Sequence, residues 1–330
     1  MDTTQLPIDS HMKPNRGPLA QPDTQSMFAA ETLAGLSKTQ KTMSCKWFYD
    51  EHGSKLFEQI TRTPEYYPTR VETRLLLDIV SELVAFMPHL AVVVEPGSGS
   101  SIKTRILLES QPKLKKYIPI DISEEFLFET AHQLRQDFPL LKIAPLVADF
   151  TIRMPPLLLD EELERLVFFP GSTIGNFAPA EARQLLGNVH HLAGKNAWML
   201  IGVDMTQDED QLLAAYNDAA GITAQFNQNI LLRANRELDA DFDVGSFQHR
   251  VYFNKRQRRI EMHLLSARTQ RVEVNGRLFS FRLGETIHTE NCYKYSREDF
   301  AALAIQCGWR LEHVWTDQQE SNFGLFLLKA

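Results

Sequence analysis

The sequence predicts an α/β protein: a doubly wound, mainly parallel sheet with a second, smaller mixed α+β domain. Three observations predict it. Between residues 91 and 205, short apolar runs alternate with amphipathic stretches across short links, the pattern of β-α units that build parallel sheets. A Gly97-Ser98-Gly99 turn joins the first apolar run to the first helix, where a backbone can approach a ligand closely. After residue 205 the alternation stops, and a helical stretch and several β-prone runs intervene before it resumes near the C-terminus.

The elements follow in order. Residues 1–27 are mostly polar, with Pro7, Pro14, Pro18 and Pro22, and are expected to be a disordered or loosely docked lead. Val92 to Val94, preceded by Ala91, reads as the first strand. Ser100, Ser101 and Thr104 offer an N-cap and first-turn hydrogen bonds to a helix running through Leu108. YIPIDIS (117–123) is the second strand. The helix after it, 123–138, has Ser123 as its expected cap and Glu124 and Glu125 in its first turn. KIAPLVADF (142–150) is the third strand, and RLVFFPGSTIGNF (165–177) a fourth that runs into a glycine loop. A helix over 179–193 and a fifth strand over 197–205 complete the alternation.

Residues 206–236 read as helical. FQHRVYF, RRIEMHLLSARTQRVEV and RLFSFRL are strand-like, and Asn275-Gly276 between two of them signals a hairpin. Ser296 opens a last helix with Glu298 and Asp299 in its first turn. WRLEHVW (309–315) and FGLFLLKA (323–330) predict a final hairpin that inserts one antiparallel strand.

Bulk properties narrow the function. The 330 residues are 43% hydrophobic and 23% charged, with a net charge of −7, so no global field draws the chain to nucleic acid or anionic lipid. The cluster Lys255, Arg256, Arg258, Arg259 reads as a solvated turn. Cys45, Cys292 and Cys307 are far apart and form no Cys/His metal spacing, which predicts no metal cofactor and a reducing, cytoplasmic setting. No long apolar run or charged-then-apolar leader predicts a membrane span or signal peptide. A monomer is expected.

In doubly wound sheets ligands bind outside the carboxyl ends of the strands. Here those ends carry Glu95, Asp121, Asp149, Asn176 and Asp204, an expected acidic rim. The turn lacks the third glycine of a dinucleotide fingerprint, and Glu95 beside it disfavours a pyrophosphate. A sulfonium with an amino-acid tail tolerates that acid. Asp121 suits ribose hydroxyls, and Asp149 with Phe150 presents a carboxylate and a ring to adenine. Singly, each reads more readily as a solvated loop acid or a packed ring than as a ligand contact. Together they predict S-adenosyl-L-methionine, released as S-adenosyl-L-homocysteine, with Gly97, Ser98, Gly99 and Lys103 completing the cofactor set.

VVVEPGSGSSIKTRILL, YIPIDIS, VADF, FFPGSTIGNF, YDEHGSKLFEQITRTPEYYPTRVE (49–72) and AAYNDAAGITAQFNQNIL (214–231) resemble the L-histidine Nα-methyltransferases of ergothioneine biosynthesis. The resemblance covers roughly residues 28–330. It implies a Rossmann-like class I methyltransferase core over 71–205 and 294–330. It also implies a discontinuous substrate domain over 28–70 and 206–293. By motif match Asn176 orients the substrate α-amine, and Tyr66 and Tyr216 contact its backbone end, whereas Tyr67 is expected in the core. Met262 flanks the imidazole. Where the family has Glu-Ile-Ser, this chain has Glu290-Asn291-Cys292. Glu290 keeps the imidazole acceptor, but Cys292 replaces a hydroxyl with a larger, weaker donor. Methylation to the Nα,Nα,Nα-trimethyl betaine hercynine is likewise implied, with Tyr66, Tyr216 or water carrying protons away. The rival readings are a same-family enzyme for a tryptophan derivative, kept open by Cys292, and a non-catalytic S-adenosylmethionine-binding regulator.

Overall fold

A computed structural model describes residues 24–99, 102–157, 163–317 and 319–330. The N-terminal segment supplies helix α1 (Thr24–Leu36), strand β1 (Lys41–Thr42), helix α2 (Glu51–Ile60) and the long helix α3 (Tyr67–Phe86). The alternating part is β2 (Leu90–Pro96), α4 (Ile102–Ser110), β3 (Lys116–Asp121), α5 (Glu124–Asp137), β4 (Lys142–Ile143), β5 (Leu146–Val147), β6 (Glu164–Phe169), α6 (Pro179–Ala193) and β7 (Trp198–Asp204). Then come α7 (Glu209–Ala215), α8 (Ile222–Glu237), β8 (Phe247–Asn254), β9 (Arg259–Ser266), β10 (Gln270–Val274), β11 (Arg277–Phe281) and β12 (Thr286–Tyr293). Helix α9 (Arg297–Gln306), β13 (Arg310–Thr316) and β14 (Phe323–Lys329) end the chain.

The main sheet has the order β13-β14-β7-β6-β2-β3-β4, with β5 also paired to β3. Strands β2 to β7 in it run parallel, and β14 lies antiparallel between β7 and β13, as the final hairpin predicts. Side-chain alternation explains why both faces are covered. On β6, Leu166 and Phe168 pack toward Leu75, Leu76 and Ile79 of α3, while Val167 and Phe169 pack toward Leu185, Val189 and Phe300 of α6 and α9. This is the doubly wound, Rossmann-like class I arrangement. The strand order reverses at β2, so a crevice opens at the carboxyl ends of β2, β3 and β6.

Three local expectations differ from the structure. The third strand is split into β4 and β5, because Pro145 between them has no N–H to donate. Thr104 does not serve the helix start; its hydroxyl donates to the buried Glu95 carboxylate (2.8 and 3.0 Å). Ser123 makes no side-chain cap, and its backbone N–H instead donates to Asp121 Oδ1 (2.9 Å). Ser100 and Ser101 lie outside the described residues, as does the lead to residue 23. Residues 24–27 of that expected lead are helical. Ser296 does cap α9, accepting from Asp299 N (3.0 Å).

A second sheet, β1-β12-β9-β8, stands beside the first, with the β10-β11 hairpin turning at Asn275 and Gly276. Both turn residues have positive φ (46° and 72°), the geometry a two-residue hairpin demands. Its hydrophobic core joins distant stretches of chain: Phe28, Trp47 and Phe48 pack in one cluster with Phe226, Phe247 and Phe281. On β12 the register shifts between His288 and Glu290. That bulge reverses the facing of Glu290, which lies opposite Met262 and turns toward the main sheet.

Candidate active site

A cavity of about 660 Å³ runs from the carboxyl ends of the main sheet to the inner face of the second sheet. This is room for a cofactor and a small substrate together. It is lined by all fourteen residues expected from sequence: Glu95, Gly97, Ser98, Gly99, Lys103, Asp121, Asp149 and Phe150 at one end, and Tyr66, Asn176, Tyr216, Met262, Glu290 and Cys292 at the other. Of the expected rim, Asp204 alone is not among the lining residues. It is fully buried and receives the ammonium of Lys294 (2.6 Å) and the hydroxyl of Tyr67 (2.5 Å).

At the main-sheet end Asp121 and Asp149 are each held by their own loop. Asp121 Oδ1 accepts from Ser123 N, and Asp149 Oδ1 accepts from Thr151 N (2.9 Å) and Thr151 Oγ1 (2.5 Å). Burial raises the Asp121 pKa, and the backbone N–H groups around it pull the other way. Glu95 is clasped by two hydroxyls, Thr104 Oγ1 and Tyr117 OH (2.7 Å), yet desolvation lifts its pKa to about 7. Gly97 has φ +69°, and a Cβ there would meet the Phe150 ring at 3.3 Å, so only glycine leaves the turn open against that ring. Lys103 is fixed by Glu72 Oε2 (2.5 Å), which also accepts from Gly171 N (2.8 Å). A strand-end carboxylate, a glycine cradle and a ring wall fit a nucleoside joined to an amino acid.

The other end is aromatic and drier. Tyr66 and Tyr216 meet edge-to-face at 6.3 Å, with Tyr49, Phe57 and Phe226 beside them. Burial raises the pKa of both Tyr66 and Tyr216, so each is a neutral phenol at physiological pH. The Tyr216 hydroxyl donates to Cys292 Sγ (2.8 Å) and accepts from Lys294 Nζ (3.3 Å), which leaves one lone pair for a further donor. Glu290 is pushed up to about 8, chiefly by desolvation, with Lys294 partly opposing. Desolvation disfavours the Lys294 ammonium, but Asp204, Cys292 and Tyr67 outweigh it and the net shift is upward. Asn176 sits at the end of a 3-10 turn, Thr173–Asn176, that packs against β12.

Sequence reasoning missed several of these groups. Lys46 reaches from the N-terminal segment to Asp149 Oδ2 (3.3 Å) and Glu31 Oε1 (2.7 Å), and nothing in SCKWF signals it. Lys294 had a weaker signal: it stands just past the end of β12, two residues after Cys292, and its ammonium lies 3.3 Å from Cys292 Sγ.

Residues 28–330 match the family described as histidine-specific, SAM-dependent methyltransferases. A histidine N-alpha-methyltransferase of Mycolicibacterium smegmatis is 38% identical over 309 residues, covering 91% of this chain and 95% of that protein. One of the same name from Mycobacterium tuberculosis is 38% identical over 302 residues, covering 90% and 93%. Ergothioneine biosynthesis protein 1 of Neurospora crassa is 32% identical over 289 residues, which are 85% of this chain and 32% of that longer protein.

Proposed function

Because the chain belongs to the histidine-specific, S-adenosylmethionine-dependent methyltransferase family, we propose that it methylates the α-amine of L-histidine to the trimethyl betaine, a step of ergothioneine biosynthesis. The observation that carries this reading is one cavity joining an anchored strand-end carboxylate set to a dry aromatic pocket that ends in Glu290. S-adenosylmethionine supplies an activated methyl group, so the protein's work is alignment and exclusion of water.

In this reading Asp121 and Asp149 hold the nucleoside, with Phe150 against its base and Lys103 near its amino-acid tail. Asn176 and the free lone pair of Tyr216 orient the substrate nitrogen without adding charge, so its own lone pair stays available. Tyr66 and Tyr216 hold the backbone end as hydrogen-bonding partners. Their raised pKa values disfavour a role as bases, so the amine's proton leaves to water. Glu290 meets the imidazole. With its pKa near 8, one proton is shared between carboxyl and ring near neutrality, and the buried pair stays electrically neutral. The substrate domain of this reading is residues 28–70 with 206–293, and the core is 71–205 with 294–330. Among the described residues no helix is long and apolar enough to cross a membrane.

Cys292 favours a second reading, in which a related aromatic amino acid is the better substrate. A panel of free amino acids with S-adenosylmethionine, followed by mass spectrometry, tests both. Up to three methyl groups on histidine alone supports the first. Methylation of another amino acid in preference overturns it, and cofactor binding without any product supports a regulatory binder.

A further inference from the structure

Helix α3 buries an acid, Glu72, on the same side as Val71, Leu75, Leu76 and Ile79. The residue has no exposed surface. Its Oε2 accepts from Lys103 Nζ (2.5 Å) and from Gly171 N (2.8 Å), whereas Oε1 has no hydrogen-bond partner among the described residues. A carboxylate that is buried and only half satisfied is a poor stabiliser, so folding alone does not account for it. The sheet also makes room for it. Oε1 lies against Gly202 of β7, where an added Cβ would stand only 2.0 Å away. A glycine inside a strand flanked on both sides by others weakens that strand, and the space Glu72 needs is the reason for it.

Lys103 and Gly171 line the cavity and Glu72 does not, so the acid stands one layer behind the cation. We infer that Glu72 is a positioning residue for the cofactor: the buried counter-charge that fixes the Lys103 ammonium against the loop carrying Asn176 and cancels its field toward the sulfonium. This rests on the placement of Lys103 near the cofactor's amino-acid tail proposed above, and not on which amino acid is methylated.

The first part of that role is mechanical. A lysine stem is flexible, and one carboxylate oxygen shared between Nζ and Gly171 N ties the ammonium and the loop to a single point. A Cβ on Gly171 would stand 3.8 Å from Nζ, so the ammonium rests close over that backbone. The next residue is held as well, because Ser172 Oγ accepts from Asp204 N (2.9 Å), and the chain then enters the turn Thr173–Asn176. The second part is electrostatic. An ammonium suits the tail carboxylate but repels the sulfonium of the same molecule. Paired with Glu72, it keeps its directed N–H donors while the pair is neutral at longer range. The nearby Glu95 does not take this part, since its oxygens accept the Thr104 and Tyr117 hydroxyls.

The test uses the full chain and calorimetric titration with S-adenosylmethionine and with S-adenosylhomocysteine, which differ by the methyl group and its positive charge. A unit charge at roughly 10 Å in part-buried surroundings changes an ion's affinity by about 10-fold. The near-isosteric Glu72→Gln should therefore weaken S-adenosylmethionine about 10-fold more than S-adenosylhomocysteine. Lys103→Met should weaken both through the shared tail and move their ratio the opposite way. The double variant, which lacks both charges, should return the ratio to within about 2-fold of the parent. Thermal melts verify that Glu72→Gln and the double variant fold. An equal loss of both ligands in Glu72→Gln would mean a merely structural acid and overturn the inference. If Lys103→Met changes neither affinity, the lysine does not face the cofactor, and the inference falls with that placement while the histidine reading stands.

Discussion

The two ends of the cavity are built on different principles. At the main-sheet end the backbone anchors are local: Asp121 and Asp149 are each held by the N–H two residues ahead. At the second-sheet end anchoring is long-range: Tyr216 meets Cys292 across 76 residues, and Lys294 meets Asp204 across 90. A carboxylate anchored by its own turn keeps most of its geometry when the rest of the molecule changes, although Lys46 also reaches Asp149 from 103 residues away. A site anchored across the chain depends on both sheets being docked, and its buried charges couple specificity to stability.

The largest test of that contrast removes one anchor from each end. Lys294→Met strips the ammonium from Asp204 and leaves a carboxylate with no exposed surface uncompensated, so urea unfolding should show a loss of about 3–5 kcal/mol. Thr151→Val, which removes one hydrogen bond to Asp149, should lose about 1 kcal/mol. Comparable losses would erase the distinction between the two ends.

Next in size is a crossed pair of binding measurements. Glu290→Ala should raise the histidine KM about 30-fold and leave the cofactor Kd within about 2-fold. Asp121→Ala should do the reverse, weakening the cofactor about 30-fold at little expense to histidine. If both variants weaken both ligands equally, the two ends act as one site.

A pH series sharpens the comparison further. Glu290 has a folded pKa of about 8 against an ordinary 4.5, so between those values the folded state holds more protons than the unfolded one. Its contribution to stability is complete below pH 4.5 and is lost progressively as pH rises to 8. Glu290→Gln should therefore raise the melting temperature of the ligand-free protein by several degrees at pH 8, with the gain vanishing near pH 5. Glu95, clasped by Thr104 and Tyr117, has a narrower window, from 4.5 to about 7. An equal gain from Glu290→Gln at both pH values would show that the carboxyl is not held in a desolvated state.

The same contrast explains what was legible in the sequence. Strand periodicity and turn chemistry act over a few residues, so the sheet, the Asn275-Gly276 hairpin, the final antiparallel strand and the strand-end carboxylates that line the cavity could be read directly. Where a long-range partner competes with a local one, the local reading failed. Thr104 was diverted from its helix by Glu95, and Asp204 was drawn from the rim by Lys294. The second-sheet end of the cavity was legible only through the resemblance, since no spacing rule brings residues 66, 176, 216, 262 and 290 together. The β12 bulge had no local signal either, yet it decides which face Glu290 takes.

Cys292 is the smallest change expected to matter, and it separates the two substrate readings. Its sulfur accepts the Tyr216 hydroxyl and lies 3.3 Å from Lys294 Nζ, and it packs close to Gly175, where an added Cβ would stand only 3.2 Å from Sγ. Burial raises its pKa, so it remains a thiol, a poor donor toward an imidazole nitrogen. Cys292→Ser keeps an acceptor for Tyr216, frees volume beside Gly175 and adds a stronger donor. If histidine is the substrate, its KM should fall about 2- to 10-fold, the worth of one net hydrogen bond, with the cofactor Kd unchanged. If a bulkier aromatic amino acid is preferred, the serine gains nothing from a ring without an acceptor nitrogen, and the KM for that amino acid should stay level or rise. The ratio of kcat/KM for the two amino acids, before and after the substitution, therefore reports which ring the thiol faces.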